Sequence, residues 1–234
     1  MALYVVSTPI GNLKDLSFRA LEVLKSVDLI LAEDTRVTKK LLSHYGISKP
    51  MMRFDEKEEY RISDKTINLL MEGKNLALVS DAGTPGISDP GRKLISSLVD
   101  KLERLELSDN FKTYKPINII PIPGPSAVSA MISASDINLS EFAFLGFPPH
   151  KKGRMTFFRK VAQSDLPVIL FESPHRIEKT LKELFSACGE RRVNIGRELT
   201  KIYEEIWRGN LSGATDYFQG VHKRGEFIIV VDIK

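Results

Sequence analysis

The chain has 234 residues, 42% of them hydrophobic, which is enough apolar material for one large or two small cores and excludes disorder as the default. Lys and Arg total 34 against 30 Asp and Glu, and the resulting net charge of +4 is only a weak bias toward polyanionic partners. Cys188 is the single cysteine, so an intrachain disulfide and a cysteine-rich zinc site are excluded, as expected for a reducing compartment.

The first predicted element is a buried strand, Leu3 to Val6, entered directly from Met1 without a basic leader. No stretch approaches the roughly 20 apolar residues needed to cross a bilayer, so a cytoplasmic protein without a membrane segment is expected. Leu16, Ala20, Leu21, Leu24 and Val27 follow with helical spacing, and Asp28 to Ala32 reads as the next strand. Gly46 and Gly73 close two further helical runs, Lys39 to Tyr45 and Ile67 to Glu72. Leu76 to Val79 is a strand, Leu94, Ile95, Leu98, Val99 and Leu102 mark a helix, and Ile117 to Ile122 is another strand. This alternation predicts right-handed crossovers and a mainly parallel sheet, because parallel neighbours need connections long enough to hold a helix.

Between the last two of these, Leu107 to Pro116 is polar and ends in proline, which predicts a hinge near Lys115 and two subdomains, 1–115 and 116–234. Beyond it come a small-residue helix, Ala127 to Ala134, a strand Val168 to Phe171, and a helix carrying Ile177, Leu181, Leu184 and Phe185, which Gly189 stops. Arg192 to Ile195, Tyr203 to Trp207 and Phe227 to Val231 are close-spaced strands, and they predict a mixed or antiparallel second sheet.

In open α/β sheets ligands bind beyond the carboxyl ends of the strands, and here those positions are rich in glycine and proline. Ser7-Thr8-Pro9-Ile10-Gly11-Asn12-Leu13 follows the first strand, and Ser80 to Gly91, with three glycines and two prolines, follows Leu76 to Val79. Pro123-Gly124-Pro125-Ser126-Ala127 follows Ile117 to Ile122. Such turns expose backbone amides and carbonyls to a small polar ligand, although each also serves as a plain strand-to-helix connection. There is no phosphate-cradling G-x-x-x-x-G-K-[ST] and no G-x-G-x-x-G, and the four scattered histidines lack any close metal-ligand spacing, so no metal site is predicted.

Taken with Glu33-Asp34-Thr35-Arg36, Phe144-Leu145-Gly146-Phe147, Phe171-Glu172-Ser173-Pro174-His175-Arg176 and Arg197-Glu198-Leu199-Thr200-Lys201, these turns resemble the ribosomal RNA small-subunit methyltransferase I family of the tetrapyrrole methylase superfamily. The resemblance runs in order from about residue 3 to 231. It implies an α/β fold of two subdomains, the N-terminal sheet mainly parallel and the C-terminal one mixed, with a cofactor cleft between them. It further implies S-adenosylmethionine as methyl donor, and as acceptor the ribose 2′-hydroxyl of a cytidine in the decoding region of small-subunit rRNA within a 30S particle. A homodimer is also implied. Carried over by motif, the donor is expected at Pro9, Ala82, Gly83, Thr84, Ile87, Ser126, Ala127, Glu172, Ser173 and Leu199. Relatives often carry a helical C-terminal extension, whereas this chain ends at Lys234, which puts its grip on the ribosomal particle in question.

A ribose hydroxyl is a weak nucleophile that needs a general base or a positive charge favouring its alkoxide. Asp34, Arg36, Glu198 and Lys201 are the candidates, with simple ion pairs as the alternative. His150-Lys151-Lys152-Gly153-Arg154, followed by Phe157, Phe158, Arg159 and Lys160, is the richest stretch for phosphate contact and base stacking. Its plainer reading, which the letters alone favour, is a solvated turn and an amphipathic helix. Arg191-Arg192 and His222-Lys223-Arg224 are weaker patches. Two other readings are a methylase of the same superfamily acting on a tetrapyrrole or a protein side chain, and a ribosome-assembly factor without catalysis.

Overall fold

The structure, a computed structural model, describes residues 1–54, 59–106, 117–220 and 225–233. It divides into two compact units, Met1–Ser126 and Ala127–Lys234. The hinge expected near Lys115 and the basic run at 222–224 lie outside the described residues.

The first unit alternates strand and helix: β1 (Ala2–Val6), α1 (Phe18–Ser26), β2 (Leu29–Ala32), α2 (Thr35–His44), β3 (Met51–Arg53), α3 (Glu59–Met71), β4 (Leu76–Val79), α4 (Arg92–Glu106) and β5 (Asn118–Ile122). Its strands lie in the order β3-β2-β4-β1-β5, every neighbouring pair parallel. Period-two alternation decides which layer each side chain joins. Leu76 and Leu78 of β4 join Leu3, Leu31, Leu94 and Leu98 on one face, whereas Ala77 and Val79 join Val6, Ala20, Leu24 and Ile30 on the other. Both faces are therefore covered, as a parallel sheet requires. Helix starts are capped from the sequence, with Ser17 accepting from the Ala20 amide and Asp34 from the Arg36 amide.

The second unit comprises α5 (Ala127–Ala134), β6 (Ala143–Gly146), α6 (Arg154–Ala162), β7 (Val168–Glu172), α7 (Ile177–Cys188), β8 (Arg192–Arg197), β9 (Glu205–Asn210), α8 (Leu211–Tyr217) and β10 (Phe227–Val231). The strand order is β6-β7-β10-β8-β9, with β6 and β7 parallel and the other pairs antiparallel, so the mixed sheet expected of this half is present. One face packs Val168, Leu170, Val193, Ile195, Phe227 and Ile229 against Phe158, Leu181, Leu184, Leu211 and Phe218.

Three elements depart from the sequence reading. β3 and β6 are three- and four-residue strands without a long apolar run to announce them. The strand expected from Tyr203 begins at Glu205 instead, because Ile202 and Tyr203 point outward, 94% and 75% exposed, while Trp207 lies across Gly209.

Candidate active site

In the first unit the three turns expected to hold a ligand are tied to one another. The Thr8 amide donates to the Gly83 carbonyl at 2.8 Å and the Gly83 amide returns a bond to the Thr8 carbonyl at 3.0 Å, which joins the turn after β1 to the turn after β4. The Thr84 hydroxyl donates to the Pro125 carbonyl at 3.2 Å and lies 2.9 Å from Ser7 Oγ. A hydroxyl has one proton, so Ser7 is the donor to Thr84 and the turn after β5 joins the same set. The contacts leave no spare volume at two glycines. A Cβ on Gly124 would stand 3.0 Å from that of Ser7, and one on Gly83, where φ is +81°, would stand 3.3 Å from Ile10 Cγ2.

Pro9, Ala82, Gly83, Thr84, Ile87 and Ser126 all belong to these three knitted turns. Since the hydroxyls of Ser7 and Thr84 and the backbone of Gly83 are engaged internally, a ligand there would meet backbone groups of their neighbours. At Gly86, with φ +87°, the space a side chain would take is open. That arrangement suits a small ligand with both polar and apolar parts.

In the second unit the register brings two further expected positions to one end of the sheet. Phe227 of β10 pairs with Glu172 of β7 on one side and Arg197 of β8 on the other, so the turns at Glu172-Ser173 and Glu198-Leu199 leave the sheet at the same edge, two strand spacings or about 10 Å apart. Leu199 is buried, its side chain lying over Gly196 beside Met131 of α5, the helix that opens at Ala127. Glu172 is fully buried, and its carboxylate accepts from the Ser173 amide at 2.7 Å and the Thr180 hydroxyl at 2.5 Å and pairs with Arg176 at 2.8 Å. Its side chain is a structural anchor, and Ser173 beside it is half-buried.

The four acid–base candidates form two ion pairs. Asp34 caps α2 and pairs with Arg36 at 2.5 Å, and this pairing, through side-chain and backbone hydrogen bonds, holds its carboxyl far below the usual carboxylate range. Lys201 Nζ bridges Glu198 at 2.8 Å and Glu226 at 3.0 Å. Glu198 and Thr200 have φ of +50° and +70°, rare for residues with side chains, so this loop holds strained backbone beside its ion pair.

Sequence reasoning passed over a third acidic position. Asp81 accepts from the Asp34 amide at 2.9 Å, and the Asp81 amide donates to Glu33 at 3.3 Å, since Ala32 and Val79 are register partners. Asp89, near the end of the same loop, is pushed up to about 7 by burial and by the charge of Glu33, with a hydrogen bond from Ser80 partly opposing. Asp34 binds a proton too weakly to act as a base near neutral pH, whereas Asp89 is matched to that task. The signal in the sequence was the pair of aspartates bracketing the glycine-rich loop.

Of the basic stretch, Arg154 and Phe158 are buried, while Lys151, Lys152, Arg159 and Lys160 are exposed. Arg191 is also buried, donating to the carbonyls of Val161 and Ala162, and Arg192 pairs with Asp136. Among the described residues no group of His, Cys, Asp and Glu is arranged to hold a metal, and no helix is long and apolar enough to cross a membrane.

The family model described as Tetrapyrrole (Corrin/Porphyrin) Methylases matches residues 2–215. Over 231 residues the chain is 41% identical to a protein of Halalkalibacterium halodurans named ribosomal RNA small subunit methyltransferase I, covering 98% of this chain and 75% of that one. A Thermotoga maritima protein of the same name is 40% identical over 232 residues, covering 99% of this chain and 98% of its own length. The chain belongs to the ribosomal RNA small subunit methyltransferase I family. Among solved structures, a diphthine synthase aligns with a TM-score of 0.71 at 15% identity, over 100% of this chain and 90% of that one. The uroporphyrin-III-C-methyltransferase of Thermus thermophilus aligns at 0.63 and 18%, over 99% and 94%. These two likenesses establish a tetrapyrrole methylase fold. In this methyltransferase the turns at 7–13, 80–91 and 123–126 follow the carboxyl ends of β1, β4 and β5.

Proposed function

We propose that this methyltransferase moves a methyl group from S-adenosylmethionine to the ribose 2′-hydroxyl of a cytidine in the decoding region of small-subunit rRNA, acting on the 30S particle in the cytoplasm as a homodimer. The observation that carries this reading is similarity over essentially the whole chain to relatives named for rRNA methylation. Bound S-adenosylmethionine supplies a methyl carbon already activated by its sulfonium, so the chain has to position two reactants and handle one proton.

For the donor, the turns joined through Thr8, Gly83, Thr84 and Pro125 offer fixed backbone, and Ala82, Ile87 and Ser126 are the contact positions proposed there, with Ala127, Ser173 and Leu199 in the second unit. For the acceptor, the exposed Lys151, Lys152, Arg159 and Lys160 are assigned to RNA phosphates. Asp89 is assigned as the group that takes the hydroxyl proton, with Lys201 as the positive charge favouring the developing alkoxide. Asp34, paired with Arg36, then serves to fix the turn after β2 beside the turn after β4, and Glu198 to orient Lys201.

The test is transfer of labelled methyl groups from S-adenosylmethionine to small-subunit particles lacking the modification, with tetrapyrrole acceptors offered in parallel. Label mapping to one cytidine ribose is the expected result. Label on a base, on protein or on the tetrapyrrole alone would overturn the assignment.

A further inference from the structure

Arg154 reads, from sequence, like part of an RNA-binding surface, yet its donors, like those of Arg176, are turned inward. The Arg154 side chain is 5% exposed and that of Glu172 is 0% exposed. Arg154 donates through Nε to Glu183 at 2.7 Å, through Nη2 to the Thr180 hydroxyl at 2.6 Å and through Nη1 to the Pro149 carbonyl at 3.0 Å. Arg176 pairs through Nη2 with Glu172 at 2.8 Å, donates through Nε to Ser173 Oγ at 3.2 Å and through Nη1 to the Pro148 carbonyl at 3.0 Å. The Thr180 hydroxyl in turn donates a hydrogen bond to Glu172 at 2.5 Å, so the two arginines are joined through one buried carboxylate. Two guanidinium and two carboxylate charges cancel, which is the condition for burying them.

The geometry of these contacts is specific. Pro148 and Pro149 have no backbone N–H, so their carbonyls are what the rest of the unit can hold, and each is held by one guanidinium. The next residues are His150, Lys151 and Lys152, all exposed. At the other end of the network Ser173 is fixed twice, its amide to Glu172 and its hydroxyl to Arg176. A planar guanidinium holds several acceptors in one fixed geometry, which a single ammonium does not.

We infer that Arg154 and Arg176 are positioning residues that couple the basic loop at 150–153 to the turn at Ser173, so that RNA grip and donor grip strengthen each other. The inference rests on the assignment of those two segments to RNA and donor made above.

The test is a binding cycle that uses S-adenosylhomocysteine, which cannot react, and small-subunit particles lacking the modification. In the wild-type chain, saturation with particles is expected to tighten S-adenosylhomocysteine binding about fivefold or more, the range of ordinary linkage between sites. Arg176→Lys keeps the charge but loses the fork, and it is expected to reduce that factor to within about twofold of unity. Thr180→Val, which breaks the relay without removing a charge, is expected to do the same and serves if Arg176→Lys does not fold. Full linkage in either folded variant would overturn the inference. So would a wild-type chain that binds both ligands independently, with the function above left standing. Failure of the wild-type chain to bind either ligand would overturn both.

Discussion

A carboxyl group set beside other carboxylates and partly withdrawn from water holds its proton tightly, and Asp89 is in that position with Glu33 and Asp81. Because its folded value of about 7 lies above the ordinary 3.8, the folded chain binds this proton more firmly than the unfolded one. The stability it contributes is therefore complete below about pH 4 and is lost as pH rises through about 7. Asp89→Asn is expected to remove that dependence, seen as urea midpoints that converge between the variant and the wild type at low pH and favour the variant at pH 8. The same substitution is expected to lower kcat by about 100-fold or more, as loss of a general base does. Wild-type methyl transfer should rise with pH through about 7, since the base must be ionised. The aspartates bracketing the loop are visible in the sequence, but the firm hold of Asp89 on its proton is not, because its environment is made by strand pairing. Glu33 and Asp81 are 48 positions apart and meet only through the β2–β4 register.

At the scale of elements, the turn after β4 is held by hydroxyls that a hydropathy pattern does not register. Thr84→Val removes both the bond to Pro125 and the acceptor for Ser7, and leaves a part-buried carbonyl and a buried hydroxyl without these partners. A loss of about 1–3 kcal/mol is expected in urea denaturation, together with weaker donor binding, because Gly83 immediately precedes Thr84. The long elements were legible because each repeats a period. β4 is buried throughout, and its alternate residues enter different cores. β3 and β6 were not legible, since three or four residues are too few to show alternation and their place depends on neighbours far along the chain. The misplaced start of β9 has a different cause. Ile202 and Tyr203 are apolar letters in an exposed loop, so composition pointed two residues too early.

Across the whole molecule, the net charge of +4 does not identify a partner, and many of its cations are engaged internally. RNA affinity in this account comes from a small exposed set, Lys151, Lys152, Arg159 and Lys160. Particle binding is expected to weaken steeply with salt, and neutralising Lys151 and Lys152 together should flatten the slope of log affinity against log salt by about 1.4–1.8. An unchanged slope would move the RNA to another face. The family resemblance was legible because its motifs are loops at strand ends, where residue identity is set by ligand and backbone geometry and not by packing alone. The roles of Arg154 and Phe158 were not, because the same letters serve a basic surface or a buried anchor until α6 is seen to turn them inward.

We propose that turns with few side chains, locked together through Thr8 and Gly83, hold a sulfonium methyl donor. Calorimetric titration with S-adenosylmethionine tests it most directly, on the wild-type chain and on Gly83→Ala, whose added Cβ meets Ile10 at a strained φ. One site per chain is expected, weakened about tenfold or more by the substitution, a change of roughly 1.4 kcal/mol. Absence of binding in the folded wild-type chain, or equal affinity in both, would contradict the account.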